Sequence, residues 1–165
     1  MSNCLSSQTM SNTPLYSFIN KKLWARVLSV HDGDTLTAAI EAFPGCFFRY
    51  NIRLDGIDAS EITSHDERLK VLAVKSRNRL LHHVSEGKIA LDMNKHFTRN
   101  DIIKELANDV YLVFLHCREM DKYGRILATV YKNDLPEGPK SINELMLEEG
   151  YAIKYDGGAK RTELF

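Results

Sequence analysis

No excess of either charge marks this chain: lysines plus arginines number 22 and acids number 22, so the formal net charge is zero. A nucleic-acid partner therefore has no support from bulk electrostatics and has to rest on local sites. Long apolar runs are also missing. The most apolar stretch, Val110 to Leu115, is strand-sized and far short of a membrane-spanning helix. The polar start of the chain lacks the basic and apolar regions of a secretory signal, which predicts an intracellular protein with no membrane partner. Cysteine is scarce. Cys4, Cys46 and Cys117 are odd in number and scattered, with no CxxC pair, so free thiols in a reducing compartment are expected. No HExxH or Cys/His spacing supports zinc, and there is neither a Walker loop nor a GxGxxG. His82 and His83 are adjacent on a predicted helix and cannot face one ligand together. The segment Gly56-Ile57-Asp58-Ala59-Ser60 is not a nucleophile elbow, which sets Ser60 aside as a nucleophile.

What is present suits one domain with a real core: 165 residues, 44% hydrophobic and 27% charged. Residues 1–17 are polar and without period, and are expected to form a disordered arm before a folded domain over 18–158 and a polar tail over 159–165. Trp24, Val27, Leu28 and Val30 read as a strand entering an Asp-Gly turn, and Thr35 to Ile40 as the returning strand. Phe43-Pro44-Gly45 breaks the chain before a third strand, Cys46 to Leu54. Leu69, Leu72, Ala73, Ser76, Leu80 and Val84 then follow helical spacing until Glu86-Gly87. The other side of that helix carries Arg68, Lys70, Lys75, Arg77 and Arg79, a run that reads first as a solvated face. Lys88 to Met93 resembles a strand and Arg99 to Asn108 a short helix striped by Ile102, Ile103 and Leu106. Val110 to Cys117 and Arg125 to Tyr131 pair across Lys122-Tyr123-Gly124. After a loop at 135–139, Ser141 and Glu144 form a capping box for a last helix that stops at Gly150. The pattern predicts an α+β domain, and a small closed barrel such as an OB-fold would satisfy its strand edges.

Three motifs could carry chemistry, in this order: His31-Asp32-Gly33-Asp34-Thr35, Arg53-Leu54-Asp55-Gly56-Ile57-Asp58-Ala59-Ser60-Glu61, and Asp121-Lys122-Tyr123-Gly124-Arg125. Asp34 and Asp58 are hard oxygen donors at predicted strand ends, suited to calcium together with a backbone carbonyl and waters. Isolated, an Asp-Gly-Asp is more often only a turn. Glu61 tips the balance, because a turn needs no second acid. Arg53 lies inside a strand, where an ion pair with Asp55 or Asp58 is the ordinary use of a cation. With Arg125 it could instead offer two guanidinium forks to a phosphate, stabilising the charge of a five-coordinate transition state.

At these residues the sequence resembles the thermonuclease (staphylococcal nuclease) family, from about Leu23 to Tyr155. The resemblance implies a five-stranded OB barrel with about three helices that hydrolyses DNA and RNA with one calcium ion. Carried over by position, Asp34 and Asp58 would hold calcium, with the Ala59 carbonyl as a third ligand. Glu61 would activate water, and Arg53 and Arg125 would clamp the scissile phosphate. Lys122 and Tyr123 would touch a neighbouring phosphate, and Tyr155 is the expected counterpart of the family's distal tyrosine. Substrates would be single-stranded or frayed DNA and RNA, and the enzyme a monomer. Two departures are visible. Ala59-Ser60 stands where the family commonly has Thr-Pro, and losing a proline loosens the loop that positions Glu61. Residues 93–108 read as an insertion. The competing reading is a nuclease-like barrel serving as a nucleic-acid or protein binding module, as in relatives that have lost catalytic groups. The presence of Asp34, Arg53, Asp58, Glu61 and Arg125 favours the enzyme.

Overall fold

Alternating side chains, one inward and one outward, build most of this molecule. The computed structural model describes residues 4–63, 66–133 and 138–156. Five strands close a barrel in the order β1-β2-β3-β6-β5: β1 (Lys22–Asp32), β2 (Thr35–Phe43), β3 (Cys46–Leu54), β5 (Leu112–Met120) and β6 (Ile126–Lys132). All neighbours are antiparallel except β3 and β6, whose short parallel register Ile52↔Ile126 to Leu54↔Ala128 closes the barrel. The inward rows, including Val27, Leu36, Ile40, Ile52, Leu115 and Val130, are fully buried. Closure leaves no free edge to solvate, which is why period-two strands settle into this shape. The architecture is the expected α+β OB-fold.

Three helices pack around it, α1 (Glu67–Val84), α2 (Arg99–Ala107) and α3 (Ile142–Glu148). Their starts follow from local chemistry. Asp66 accepts the Arg68 N–H, Thr98 and Asp101 form a reciprocal capping box, and so do Ser141 and Glu144. Buried Asn143 of α3 fastens the helix to the barrel. Its amide donates to the carbonyls of Asp55 and Ala128 at 2.8 and 3.2 Å and accepts the Val130 N–H at 2.9 Å. Upstream of β1, Phe18 is buried and the Tyr16 hydroxyl donates to the Ala42 carbonyl at 2.9 Å. Cys4–Ser7 form a single 3-10 turn. Cys117 is buried and its thiol is pushed up to about 11 by desolvation, whereas Cys46 is exposed; both are free.

Several readings need correction. Lys88 to Met93 is not a strand: Glu86, Gly87 and Ala90 all take positive φ, which breaks any pleat. Arg77 is not on a solvated face but buried, donating to the Phe97 carbonyl at 2.9 Å. Its neighbour Asn78 donates to the carbonyls of Met93 and Lys95. These two side chains hold the 93–108 segment, whose α2 lies against β1 through buried Ile102 and Leu106, while Ile103 and, on α1, Leu72 are exposed. A two-stranded ribbon absent from the sequence reading joins β4 (Ile57–Asp58) to β7 (Ile153–Lys154). The expected tail at 159–165 and most of the loop at 135–139 lie outside the described residues. Among the described residues, no helix is long and apolar enough to cross a membrane.

Helix α1 is locked to the end of α3 by one carboxylate. Arg79 grips Glu149 bidentately at 2.6 and 2.7 Å, and His83 Nε2 contacts it at 2.9 Å. The Arg79 hydrogen bonds, working against partial burial and helped by His83, hold the Glu149 pKa down to about 2 from its ordinary 4.5. A folded-state pKa below the unfolded one adds stability that is complete above pH 4.5 and lost as the pH falls towards 2. Glu149→Gln should therefore lower Tm at neutral pH by ~2–4 °C, the equivalent of ~1 kcal/mol for a solvent-screened pair. Melting curves between pH 7 and 3 should show the gap to the parent closing with acid. A gap that stays constant with pH would mean that Glu149 acts through packing alone.

Candidate active site

The β2–β3 register sets Thr35 opposite Arg53, and the Leu54 N–H donates to the Asp34 carbonyl at 2.8 Å. Asp34, at the β1–β2 turn, is thereby brought against a cation 19 positions away in sequence. The Arg53 guanidinium spans two carboxylates: Nη1 pairs with Asp34 Oδ2, and Nη2 with Asp58 Oδ1 at 2.6 Å. All three side chains are buried. The Ala59 N–H donates to Asp34 Oδ2 at 2.7 Å, and the Thr35 hydroxyl to Asp34 Oδ1 at 2.8 Å. The trio carries one net negative charge in a low-dielectric place, a state tolerated because every contact is charge-assisted. Arg53 thus takes Asp58, as the ordinary ion-pair reading anticipated, and Asp34 besides. Asp55 pairs instead with Arg118 at 2.9 Å.

Above the trio opens a cleft of about 1170 Å³. Asp34, Arg53, Glu61, Lys122, Tyr123, Arg125 and Tyr155 all line it, whereas Asp58 and Ala59 lie beneath and do not. Ser60 is buried and absent from the lining. Tyr155 arrives through the β4–β7 ribbon, where its N–H donates to the Gly56 carbonyl at 3.0 Å. Asp32 proves to be more than a turn residue: its Oδ1 accepts the Ile62 N–H at 3.3 Å, tying the chain beside Glu61 to the first hairpin. That tie restrains the loop where a proline is missing. No spacing rule could have shown it.

Also lining the cleft, Asp121 organises the turn that carries Arg125. It accepts the N–H groups of Tyr123 and Arg125 at 2.8 and 3.0 Å and Arg125 Nε at 2.6 Å. Burial pushes its pKa up, but those bonds outweigh burial and hold the carboxyl below its usual range. The Arg125 guanidinium lies 5.4 Å from the Tyr123 ring centre and Lys122 Nζ 5.1 Å, both within cation–π range. Tyr123 itself is 71% exposed, an aromatic ring offered to solvent beside two cations.

Charge in the cleft runs against a polyanion. Asp32, Asp34, Asp55, Glu61, Glu119, Asp121 and Asp156 line it against only Arg53, Lys122 and Arg125. Among the described residues, no group of three or more His, Cys, Asp or Glu side chains is arranged to hold a metal ion. A calcium set here would be two carboxylates, Asp34 and Asp58, completed by the Ala59 carbonyl and waters. The donors fit the ion: they are all hard oxygens, and the two carboxylates already converge on one shared cation, the Arg53 fork.

A closed five-stranded barrel with acids and arginines at one mouth defines a nuclease-like OB domain. Residues 51–164 match the family described as staphylococcal nuclease homologue, and the chain belongs to that family. No curated protein matches the chain.

Gly33 shows how tightly the site is packed. A Cβ there would fall 2.5 Å from Ser76 Cβ and 2.9 Å from Ala59 Cβ, so only glycine lets the turn, α1 and the Asp58 loop meet. Gly33→Ala should cost ~1–3 kcal/mol from overpacking, read as a lower denaturant midpoint. An unchanged midpoint would show that the contact relaxes without strain.

Proposed function

We propose that this protein is a calcium-dependent nuclease that hydrolyses phosphodiester bonds of DNA and/or RNA, leaving 3′-phosphate and 5′-hydroxyl ends. The observation that carries the reading is the pair of buried carboxylates joined by Arg53 at a cleft that Arg125 also lines. Family membership supports the nuclease class. A bound divalent cation supplies positive charge against the acidic lining and Lewis-acid polarisation of a phosphate oxygen. Glu61 accepts a proton from the attacking water. Arg53 turns its fork from the carboxylates to the phosphate, and Arg125 faces the departing 5′ oxygen. Lys122 and Tyr123 hold the next phosphate, and Tyr155 lies against the substrate from the ribbon side. Single strands and frayed ends suit the site, because attack in line with the departing oxygen needs an accessible phosphodiester.

A binding-module reading draws on one observation: both arginines are engaged by carboxylates of the chain itself. Digestion of single-stranded DNA with calcium, with magnesium and with chelator separates the two. Cleavage in calcium and none in chelator is the expected outcome. Products should accept phosphate at the 5′ end without prior dephosphorylation and resist polymerase extension until the 3′-phosphate is removed. Full activity in excess chelator removes the metal, and ligatable 5′-phosphate products reverse the direction of cleavage.

Two substitutions test the division of labour. Glu61→Gln keeps shape but removes the base, and should slow turnover ~10²–10⁴-fold while leaving calcium affinity in place. Arg53→Lys keeps charge but loses the planar fork, and should forfeit most of the rate. Near-parent turnover in either variant, measured at saturating calcium, would strip that residue of its role.

A further inference from the structure

Outside the cleft, the β1-β5-β6 wall of the barrel carries a row of rings that the site does not use. Trp24 lies opposite Phe114 in the β1–β5 register, and Phe114 opposite Tyr131 in the β5–β6 register. The ring centres follow one another at 5.0 Å from Trp24 to Phe114, 5.6 Å from Phe114 to His116 and 4.9 Å from His116 to Tyr131. Cross-strand aromatic pairs stabilise sheets on their own account, yet Trp24 leaves 44% of its surface open to water. Exposed cations flank the row: Lys22 and Arg26 project on either side of Trp24 along β1, and Arg118 follows His116 along β5.

This face is continuous with the cleft. A hollow of about 540 Å³ is lined by Lys22, His116, Arg118, Glu119 and Thr129, and Glu119 also lines the cleft. Along β6, Leu127 belongs to the cleft, Thr129 to the hollow, and Tyr131 to the ring row, a path of ~13 Å at strand rise. Rings interleaved with cations beside a phosphate-handling cleft are the chemistry that holds single-stranded nucleic acid without regard to sequence.

We infer that an extended single strand leaving the cleft runs over this hollow and stacks its bases on His116, Tyr131, Phe114 and Trp24, with Lys22, Arg26 and Arg118 against its phosphates. The inference rests on the nucleic-acid reading of the cleft and extends it to long single strands as preferred substrates. A dinucleotide fills the cleft alone, whereas a twelve-residue strand reaches the rings. Because the face brings its own cations, it binds in chelator, when the acidic cleft repels phosphate.

Trp24 is the only tryptophan of the chain, so its emission reports on this face alone. Oligothymidylate of twelve residues, titrated onto the full chain in chelator, should quench that emission, and the dinucleotide should not. Phe114→Leu with Tyr131→Leu should weaken the twelve-residue strand about tenfold or more and leave dinucleotide cleavage in calcium unchanged. Lys22→Ala with Arg26→Ala, at exposed positions that do not threaten the fold, should flatten the salt dependence by ~0.7 per cation removed. Cleavage of the long strand with unmoved Trp24 emission and parent-like affinity in both double variants overturns the inference and leaves the nuclease intact. Quenching without cleavage under any metal does the reverse. A chain that neither binds nor cuts either oligonucleotide overturns both.

Discussion

The guanidinium of Arg53, buried between Asp34 and Asp58, is the interaction around which the barrel mouth is organised. Two carboxylates taken out of water this close would repel each other strongly, and a planar fork reaching both removes that penalty with one side chain. Removing one member of such a buried set typically costs ~3–5 kcal/mol, because the partners are left uncompensated. The arrangement depends on the β2–β3 register, since a slip by one residue would turn Arg53 into the barrel interior, away from both acids. Around it the backbone contributes as much as the side chains: the Ala59 and Leu54 N–H groups fix Asp34 from two directions.

On the proposed function the same group has a structural and a chemical duty, and the two compete. A cation that neutralises its own acids is not simultaneously available to a phosphate. An acidic cleft resolves the competition only when positive charge enters from outside. Without such charge the cleft repels a polyanion, because among the groups facing it carboxylates outnumber cations. Asp121 plays the corresponding part for Arg125, holding it in one orientation through a turn rather than through burial.

The barrel was legible because its strands alternate cleanly and its turns carry Asp-Gly and Tyr-Gly at the reversals. The caps of α2 and α3 are equally local. Lys88 to Met93 misled because branched and charged residues there mimic a strand, while the positive φ at Glu86 and Ala90 leaves no trace in composition. Arg77 misled for another reason. A helix face looks solvated until a distant segment, here 93–97, folds over it. In the site, the order of the three motifs brought Asp34, Arg53, Glu61 and Arg125 to one mouth. Which acid Arg53 would choose, and that Asp32 would hold the Glu61 loop, depend on pairings across strands that spacing along one chain does not encode. The acidity of the cleft was hidden by a net charge of zero.

The ribbon of β4 and β7 joins residues nearly a hundred positions apart through four-residue pairing, and it is what seats Tyr155. Closing so long a loop costs entropy that two short strands repay only once the barrel has formed. The brace on the loop bearing Asp58 is therefore conditional on the barrel: where the barrel loosens, the ribbon that seats Tyr155 loosens with it.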